Sequence, residues 1–180
     1  MQKFKEYYFE NTINKLVLSK LASKETISKL LNINLTNMNQ SSLMKENTKK
    51  ELDEIKKSYE YSNIELFRGL TFHEERYNEL LKNKITNNKF FKHNSKEPSS
   101  WTTDKIISEK IANGKDDYLH NEGDFGIVLK YNFNIKDVLF DYNYFDKEDL
   151  IKLGFEFLEQ KEVLVIHGNF KAQIISFIRL

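Results

Sequence analysis

The spacing of apolar residues divides the chain into a helical first third and a strand-rich remainder. Up to about residue 60, apolar side chains recur at helical spacing, and a Thr48-x-x-Glu51 capping box precedes the last of these runs. The predicted helical faces are Phe4, Tyr8, Ile13, Leu16 and Val17, then Ile27, Leu30 and Leu31, and then Leu52, Ile55 and Tyr59. An Asn- and Ser-rich loop is expected over 32–42.

From residue 64 apolar and polar positions alternate, which indicates β-strands. Strands are predicted over 64–68, 89–91, 125–133, 138–144, 161–166 and 170–180. Helices are predicted from the Thr71-x-x-Glu74 capping box to about Lys82, from Thr103 or Asp104 to Ala112, and from Asp146 to Gly154. His167-Gly168-Asn169 is typical of a hairpin between the last two strands. We therefore predict an α+β fold with a largely antiparallel or mixed sheet.

Composition limits the classes of protein that fit this pattern. A length of 180 residues fits one domain, in which 1–60 form a helical segment and 61–180 the core. The 28 basic and 27 acidic residues give a net charge of +1, so no bulk attraction to nucleic acid or membrane is implied. There is no cysteine, and neither a signal sequence nor a membrane-spanning run. We expect a soluble cytoplasmic protein, and the four scattered histidines indicate no metal site.

Three polar groups stand near predicted strand ends. Arg68 shares a face with Ile64 and Leu66, Ser100 and Thr102 share another, and Gln160 points with Glu162 along a third. An inward guanidinium or carboxylate needs a partner or a function. Taken singly, each segment favours an ordinary explanation: a salt bridge for Arg68, helix capping for the hydroxyls, and the solvent end of a strand for Glu162.

Taken together and in this order, the three segments resemble the mono-ADP-ribosyltransferase family. Leu66-Phe67-Arg68-Gly69 resembles its arginine motif, Ser100-Trp101-Thr102 its Ser-Thr-Ser triplet, and Gln160-Lys161-Glu162 its Gln-x-Glu pair. The likeness covers about 61–180 and implies an ADP-ribosyltransferase-like core that uses NAD as substrate. Two departures are Thr102, where the family usually has Ser, and Trp101 in the middle of the triplet.

The resemblance also implies roles for individual residues. Arg68 would grip the two phosphates of NAD, since its forked donors match phosphate oxygens. The backbone of Gly69 would meet the nicotinamide amide, and Thr102 would belong to the same NAD site. Glu162 would hold the ribose and stabilise the oxocarbenium-like charge that forms when the nicotinamide bond breaks. Ser100 would orient Glu162 by a hydrogen bond.

The acceptor side of the resemblance depends on Gln160. In the family, Gln-x-Glu goes with asparagine acceptors, as in Rho-modifying clostridial exoenzymes, and with guanine acceptors in nucleotide-modifying members. An amide cannot act as a general base, whereas a Glu there can. Phe155 and Phe157 stand where the family keeps a target-recognition loop with an exposed aromatic; the alternative is that they pack beneath that loop.

We therefore expect an enzyme that transfers ADP-ribose from NAD to an asparagine of a target protein and releases nicotinamide. Such an enzyme fits a toxin or phage effector that acts in the cytoplasm of its own or a target cell. The alternatives are transfer to a nucleic-acid base, which the near-neutral charge disfavours, an NAD glycohydrolase, and an inactive module whose N-terminal helices bind a partner.

Overall fold

The computed structural model describes residues 15–36, 46–83, 85–86, 89–95, 98–114, 124–156, 158–166 and 168–180. The helices are α1 (Leu18–Leu21), α2 (Lys24–Thr36), α3 (Glu46–Lys56), α4 (Glu74–Asn83), α5 (Lys105–Ala112) and α6 (Lys147–Lys152). The strands are β1 (Asn63–Phe72), β2 (Ile85–Thr86), β3 (Phe90–Ser95), β4 (Ser99–Thr102), β5 (Phe125–Asn134), β6 (Val138–Asp141), β7 (Glu162–Val165) and β8 (Gly168–Arg179). Single 3₁₀ turns cover Ile135–Asp137, Tyr142–Tyr144 and Leu158–Gln160. The predicted helical face at Phe4, Tyr8 and Ile13 lies outside the described residues.

Within these ranges one sheet of eight strands has the order β2-β3-β8-β5-β1-β4-β7-β6, with antiparallel neighbours. The predicted α+β class and antiparallel sheet are therefore confirmed. The predicted hairpin after residue 166 is wrong, because β8 pairs with β3 and β5 whereas β7 pairs with β4 and β6. The chain crosses the sheet between these two strands instead of turning back on itself.

The sheet consists of two halves that are joined weakly. β1 pairs with β5 along its whole length from Asn63 to Phe72, and β4 pairs with β7 from Ser99 to Thr102. Between the halves, β1 meets β4 at one described pair, Phe67 opposite Thr102. Beyond this pair the two strands separate, and a gap opens between them.

The apolar core explains most of the predicted elements. Ile27 and Leu30 of α2 and Leu52 and Ile55 of α3 are buried, so these two predicted helical faces are confirmed; Tyr59 is buried just past the end of α3. The helix predicted over Leu16 and Val17 is wrong, because Leu16 forms a β-bridge with Phe145 and α1 begins only at Leu18. The Asn-rich stretch predicted as a loop from residue 32 still belongs to α2 up to Thr36.

Three predicted element boundaries are wrong for identifiable reasons. Thr48 lies inside α3, where its buried hydroxyl accepts a hydrogen bond from Lys29, so it is not a cap. β1 does not end at Gly69, because its ladder with β5 continues to Phe72. α4 accordingly begins at Glu74, whose amide donates to the Asp124 carboxylate instead of to Thr71.

No helix in the described ranges is both long enough and apolar enough to cross a membrane.

Candidate functional site

A cleft of about 340 Å³ opens where β1 and β4 separate. Its walls are the consecutive β1 residues Phe67, Arg68, Gly69, Leu70 and Thr71, the β4 residues Ser100, Trp101 and Thr102, and Ile111 and Gln160. The volume is within the range of small-molecule sites. Neighbouring β1 residues point to opposite faces of the sheet, yet residues of both faces line the cleft. The reason is that the cleft lies between the edges of two strands and not on one face of the sheet.

Helix α5 closes one side of the cleft, and two glycines allow it to approach. A Cβ on Gly69 would overlap the Ser108 carbonyl oxygen and lie 2.8 Å from the Ala112 nitrogen, and a Cβ on Gly126 would overlap the Ala112 carbonyl. Asp104 caps the helix by accepting from the Ile106 amide, as predicted. Gly69 is therefore required for the packing of α5 on β1, a structural reason that the sequence motif did not indicate.

Arg68 is half-buried and brings a positive charge to the cleft. Its Nη1 atom is buried and has no hydrogen-bond partner in the described part of the chain. Burial lowers the pKa of Arg68 to about 10, and the opposing effect of the nearby Glu162 carboxylate is smaller. The guanidinium is therefore still protonated at neutral pH, and an unsatisfied buried donor of this kind is costly unless a ligand binds it.

The two hydroxyls of the Ser100-Trp101-Thr102 triplet have different surroundings. Ser100 is exposed and lines the cleft. Thr102 is buried, and its hydroxyl donates to the Gln160 carbonyl over 2.7 Å and accepts from the Asp104 amide over 3.0 Å. Thr102 therefore ties β4 to the segment before β7, which agrees with the structural alternative for this residue; its predicted role in NAD binding stays a prediction.

Trp101 points away from Ser100 and Thr102 into the core, as the alternation of β4 requires. It is 2% exposed, its indole nitrogen donates to Ser99, and its ring packs edge-on against Phe133 at 5.0 Å. Trp101, the unusual middle residue of the triplet, thus packs in the core and does not occupy the face of β4 that carries the Ser100 and Thr102 hydroxyls.

The Gln160-Lys161-Glu162 segment does not have the strand geometry that we predicted. β7 begins at Glu162, Gln160 ends a 3₁₀ turn, and Lys161 between them has φ of 49°. The argument that residues two apart in a strand face the same way therefore does not apply across Lys161. Gln160 still lines the cleft, because Thr102 holds its carbonyl.

Glu162 lies beside the cleft in the row where the two halves of the sheet meet. It is the register partner of Thr102, which in turn is the partner of Phe67, the residue before Arg68. Strand spacing separates the Arg68 and Glu162 backbones by about 10 Å, a gap that two long side chains reduce. Arg68, Ser100 and Gln160 thus line one cleft, with Glu162 at its edge; the predicted hydrogen bond between Ser100 and Glu162 stays a prediction.

Phe155 is not an exposed recognition residue, so this prediction is wrong. Its side chain is 4% exposed and packs edge-on against Tyr142, with ring centroids 5.5 Å apart. The ring is buried instead, as the alternative interpretation proposed, because burial of a large aromatic side chain stabilises the fold. Phe157, the other predicted recognition residue, lies outside the described residues.

Sequence reasoning did not find a buried polar cluster behind β7. Asp141 ends β6, and its carboxylate accepts from the Tyr61 hydroxyl and from the backbone and side chain of Asn143. Burial raises the pKa of Asp141, although these hydrogen bonds act in the opposite direction. The available signal was one acidic residue within the apolar run Val138-Leu139-Phe140-Asp141-Tyr142.

In the described ranges no group of three or more His, Asp or Glu side chains is arranged to hold a metal ion. Comparison with known proteins gives no match to any family model, curated protein or solved structure. Any functional conclusion therefore depends on the residues of the cleft and their geometry.

Proposed function

We propose that this protein is a mono-ADP-ribosyltransferase that transfers ADP-ribose from NAD to an asparagine side chain of a target protein. The observation that carries the proposal is the half-buried Arg68, whose buried Nη1 lacks a partner among the described residues and which borders a cleft shared with Ser100 and Gln160. A diphosphate would supply the missing acceptor. The motif resemblance supports the ADP-ribosyltransferase-like fold, and the gap between the two halves of the sheet provides the cleft for NAD.

In this reaction the bond between nicotinamide and the ribose C1′ atom breaks, and nicotinamide leaves as a neutral molecule. The ribose then carries developing positive charge, which a neighbouring carboxylate stabilises. Glu162 supplies that carboxylate at the edge of the cleft. The acceptor nitrogen forms the new bond to C1′ and loses a proton to solvent water, since Gln160 cannot act as a base.

Gln160 suits an acceptor that needs hydrogen bonds and no strong base. Its side-chain amide can donate to and accept from the side-chain amide of an asparagine at the same time. Its backbone is held by Thr102, so its position relative to Ser100 and Arg68 is fixed. NAD and protein acceptors are both present in cytoplasm, where we expect the enzyme to act.

The test is incubation of the purified chain with adenylate-labelled NAD and a cell lysate. The expected result is a labelled band that protease removes, and Glu162→Gln should reduce labelling about 1,000-fold because it removes the stabilising charge. Glu159→Gln is the matched control, since Glu159 lies three residues away in an exposed pair with Lys147. That control should keep full labelling, because exposed ion pairs contribute little.

The other outcomes assign other functions. A label that resists protease and yields to nuclease indicates a nucleic-acid acceptor. Free ADP-ribose released at the same rate without lysate indicates an NAD glycohydrolase. No binding of NAD in calorimetry contradicts the proposal and favours a binding module.

A further inference from the structure

The turn between the two predicted catalytic residues is held in an unfavourable backbone conformation. Lys161 is the one non-glycine with positive φ in the part of the chain that is described. A residue with a side chain rarely adopts this conformation unless its surroundings impose it. The direction in which the chain leaves Lys161 determines where Gln160 and Glu162 lie relative to each other, so the groups that impose this turn control the geometry of the site.

Asn143 makes the contact that reaches this turn from behind the sheet. Its side-chain Nδ2 donates to the Lys161 carbonyl over 3.2 Å and lies 3.5 Å from the Glu162 carbonyl. The same Nδ2 donates to the Asp141 carboxylate over 2.8 Å. An amide nitrogen carries two hydrogens, so one is committed to Asp141 and the other to the turn.

Asp141 fixes the orientation of Asn143. Its carboxylate is buried, and its Oδ1 accepts from both the backbone amide and the side chain of Asn143. Its Oδ2 accepts from the Tyr61 hydroxyl over 3.0 Å, and its own amide donates to the Tyr59 hydroxyl over 3.1 Å. With both oxygens engaged from separate elements, the carboxylate has little freedom to rotate.

We propose that Asn143, oriented by Asp141, is a positioning residue that holds the Lys161 turn and thereby sets Gln160 and Glu162 for the reaction. The claim that Asn143 affects catalysis rests on the proposed function, and the claim that it holds the Lys161 turn rests on the contacts above. Neither Asn143 nor Asp141 is among the described residues that line the cleft. They therefore act through the backbone of the turn and not by touching NAD.

Asn134 offers a matched control elsewhere in the fold. It caps the 3₁₀ turn Ile135–Asp137 by accepting from the Lys136 amide, as Asp141 caps the turn Tyr142–Tyr144. Its Nδ2 donates to Asn63, at the opposite end of β1 from Phe72. Asn134→Ala therefore removes an asparagine that bonds within another 3₁₀ turn and has no contact with the Lys161 turn.

The experiment measures NAD cleavage and amide hydrogen exchange over 158–166 in Asn143→Ala, Asn134→Ala and the wild type. For Asn143→Ala we expect kcat to fall about 10- to 100-fold with KM for NAD within about threefold, since a small misplacement lowers rate more than binding. Exchange at 160–163 should accelerate in Asn143→Ala and not in Asn134→Ala. Asp141→Asn keeps an acceptor for Asn143 and should retain most of kcat, whereas Asp141→Ala should behave like Asn143→Ala.

Several results would overturn the inference. These are equal kcat in the two asparagine variants, unchanged exchange in Asn143→Ala, or parallel loss of kcat and rise of KM. If Asn143→Ala does not fold, Asn143→Ser replaces it, because serine can still bond to Asp141 but cannot reach Lys161. If the wild type does not cleave NAD, the proposed function is refuted, and the exchange data then test only whether Asn143 holds the Lys161 turn.

Discussion

The two walls of the cleft are held by different kinds of interaction. The β1 wall is fixed by backbone pairing with β5 at every position from Asn63 to Phe72 and by the close packing of α5 on Gly69. The wall that carries Gln160 is fixed by isolated contacts. Side chains supply the shorter ones: Thr102 holds the Gln160 carbonyl over 2.7 Å, Asn143 the Lys161 carbonyl over 3.2 Å, and Asp104 the Lys161 ammonium over 3.1 Å. The Thr103 amide adds a longer backbone bond of 3.4 Å to the Lys161 carbonyl.

Because the two walls are held differently, effects on folding can be distinguished from effects on activity within one site. A change at Gly69, where α5 packs closely on β1, disturbs a ladder and a helix at once, so its cost should appear in the free energy of unfolding. A change in the Gln160 wall removes one or two hydrogen bonds, each worth about 1 kcal/mol, yet displaces groups that must be placed accurately for catalysis. Mutations can therefore test whether the two walls behave in these two ways.

The largest expected effect on stability is that of Gly69→Ala. The new methyl group would overlap the Ser108 carbonyl and crowd Ala112, both backbone atoms of α5 that cannot rotate away. We expect the free energy of unfolding in urea to fall by about 3 kcal/mol or more. Gly168→Ala is the control, because its Cβ would lie 3.8 Å from Phe170, an ordinary contact. Equal stability of the two variants would show that α5 does not need the glycine.

The next prediction concerns Arg68→Leu and distinguishes a ligand-binding arginine from a structural one. We expect NAD cleavage to fall about 100-fold, equivalent to about 2.7 kcal/mol, while the free energy of unfolding stays the same or rises. The reason is that leucine removes a half-buried cation whose buried Nη1 has no partner in the part of the chain that the structure describes. If Arg68 instead served a structural ion pair, its removal would cost about 3–5 kcal/mol of stability. Urea unfolding and initial rates on the same preparations decide between these outcomes.

Much of the sheet and its polar residues could be predicted from periodicity. Alternation identified β5 almost to the residue, and it correctly placed Trp101 on the face of β4 opposite Ser100. The inward placement of Arg68 agrees with its buried Nη1, although the residue as a whole is half-buried. These predictions succeeded because burial on one face of a strand selects apolar residues at every second position. The candidate site residues were proposed from the order of three motifs near strand ends, and Arg68, Ser100 and Gln160 do line one cleft.

The failures have a common physical origin in contacts that are distant in sequence. The assumed hairpin at Gly168 failed because tight-turn residues do not reveal that β8 pairs with β3 and β5. The alternation across Gln160 and Glu162 failed because Lys161 adopts positive φ, which partners such as Asn143 and Asp104 support. Neither partner is near Lys161 in the sequence, so local pattern could not indicate the turn.

A smaller effect is expected from Thr102→Val, which tests the wall that depends on side chains. Valine keeps the shape but leaves the Gln160 carbonyl and the Asp104 amide without the hydroxyl that joins them. We expect a loss of about 1–3 kcal/mol in the free energy of unfolding. Thr102→Ser restores the hydroxyl and should recover most of the loss in thermal and urea unfolding. A valine variant as stable as the wild type would mean that water replaces both hydrogen bonds.

The smallest predicted effect is a dependence on pH that separates Asp141 from the other carboxylates. Because burial raises the pKa of Asp141 in the folded state above its ordinary value, folding favours the protonated carboxyl. The stability that this proton contributes is complete below the unfolded-state pKa and is lost as pH rises through the folded-state pKa. Asp141→Asn cannot ionise, so it should be more stable than the wild type at pH 7, and this advantage should shrink toward acid pH.

The difference between wild type and Asp141→Asn cancels the titration of the carboxylates that the two proteins share. The measurement is the free energy of unfolding of both proteins from pH 4 to pH 8, with Asp137→Asn, a half-buried aspartate whose backbone carbonyl accepts from Ile166, as the control for a simple charge change. A stability difference that is constant with pH, or that grows toward acid pH, would contradict a raised pKa at Asp141. In that case the ionised carboxylate itself would stabilise the fold, and the hydrogen bonds from Tyr61 and Asn143 would outweigh its burial.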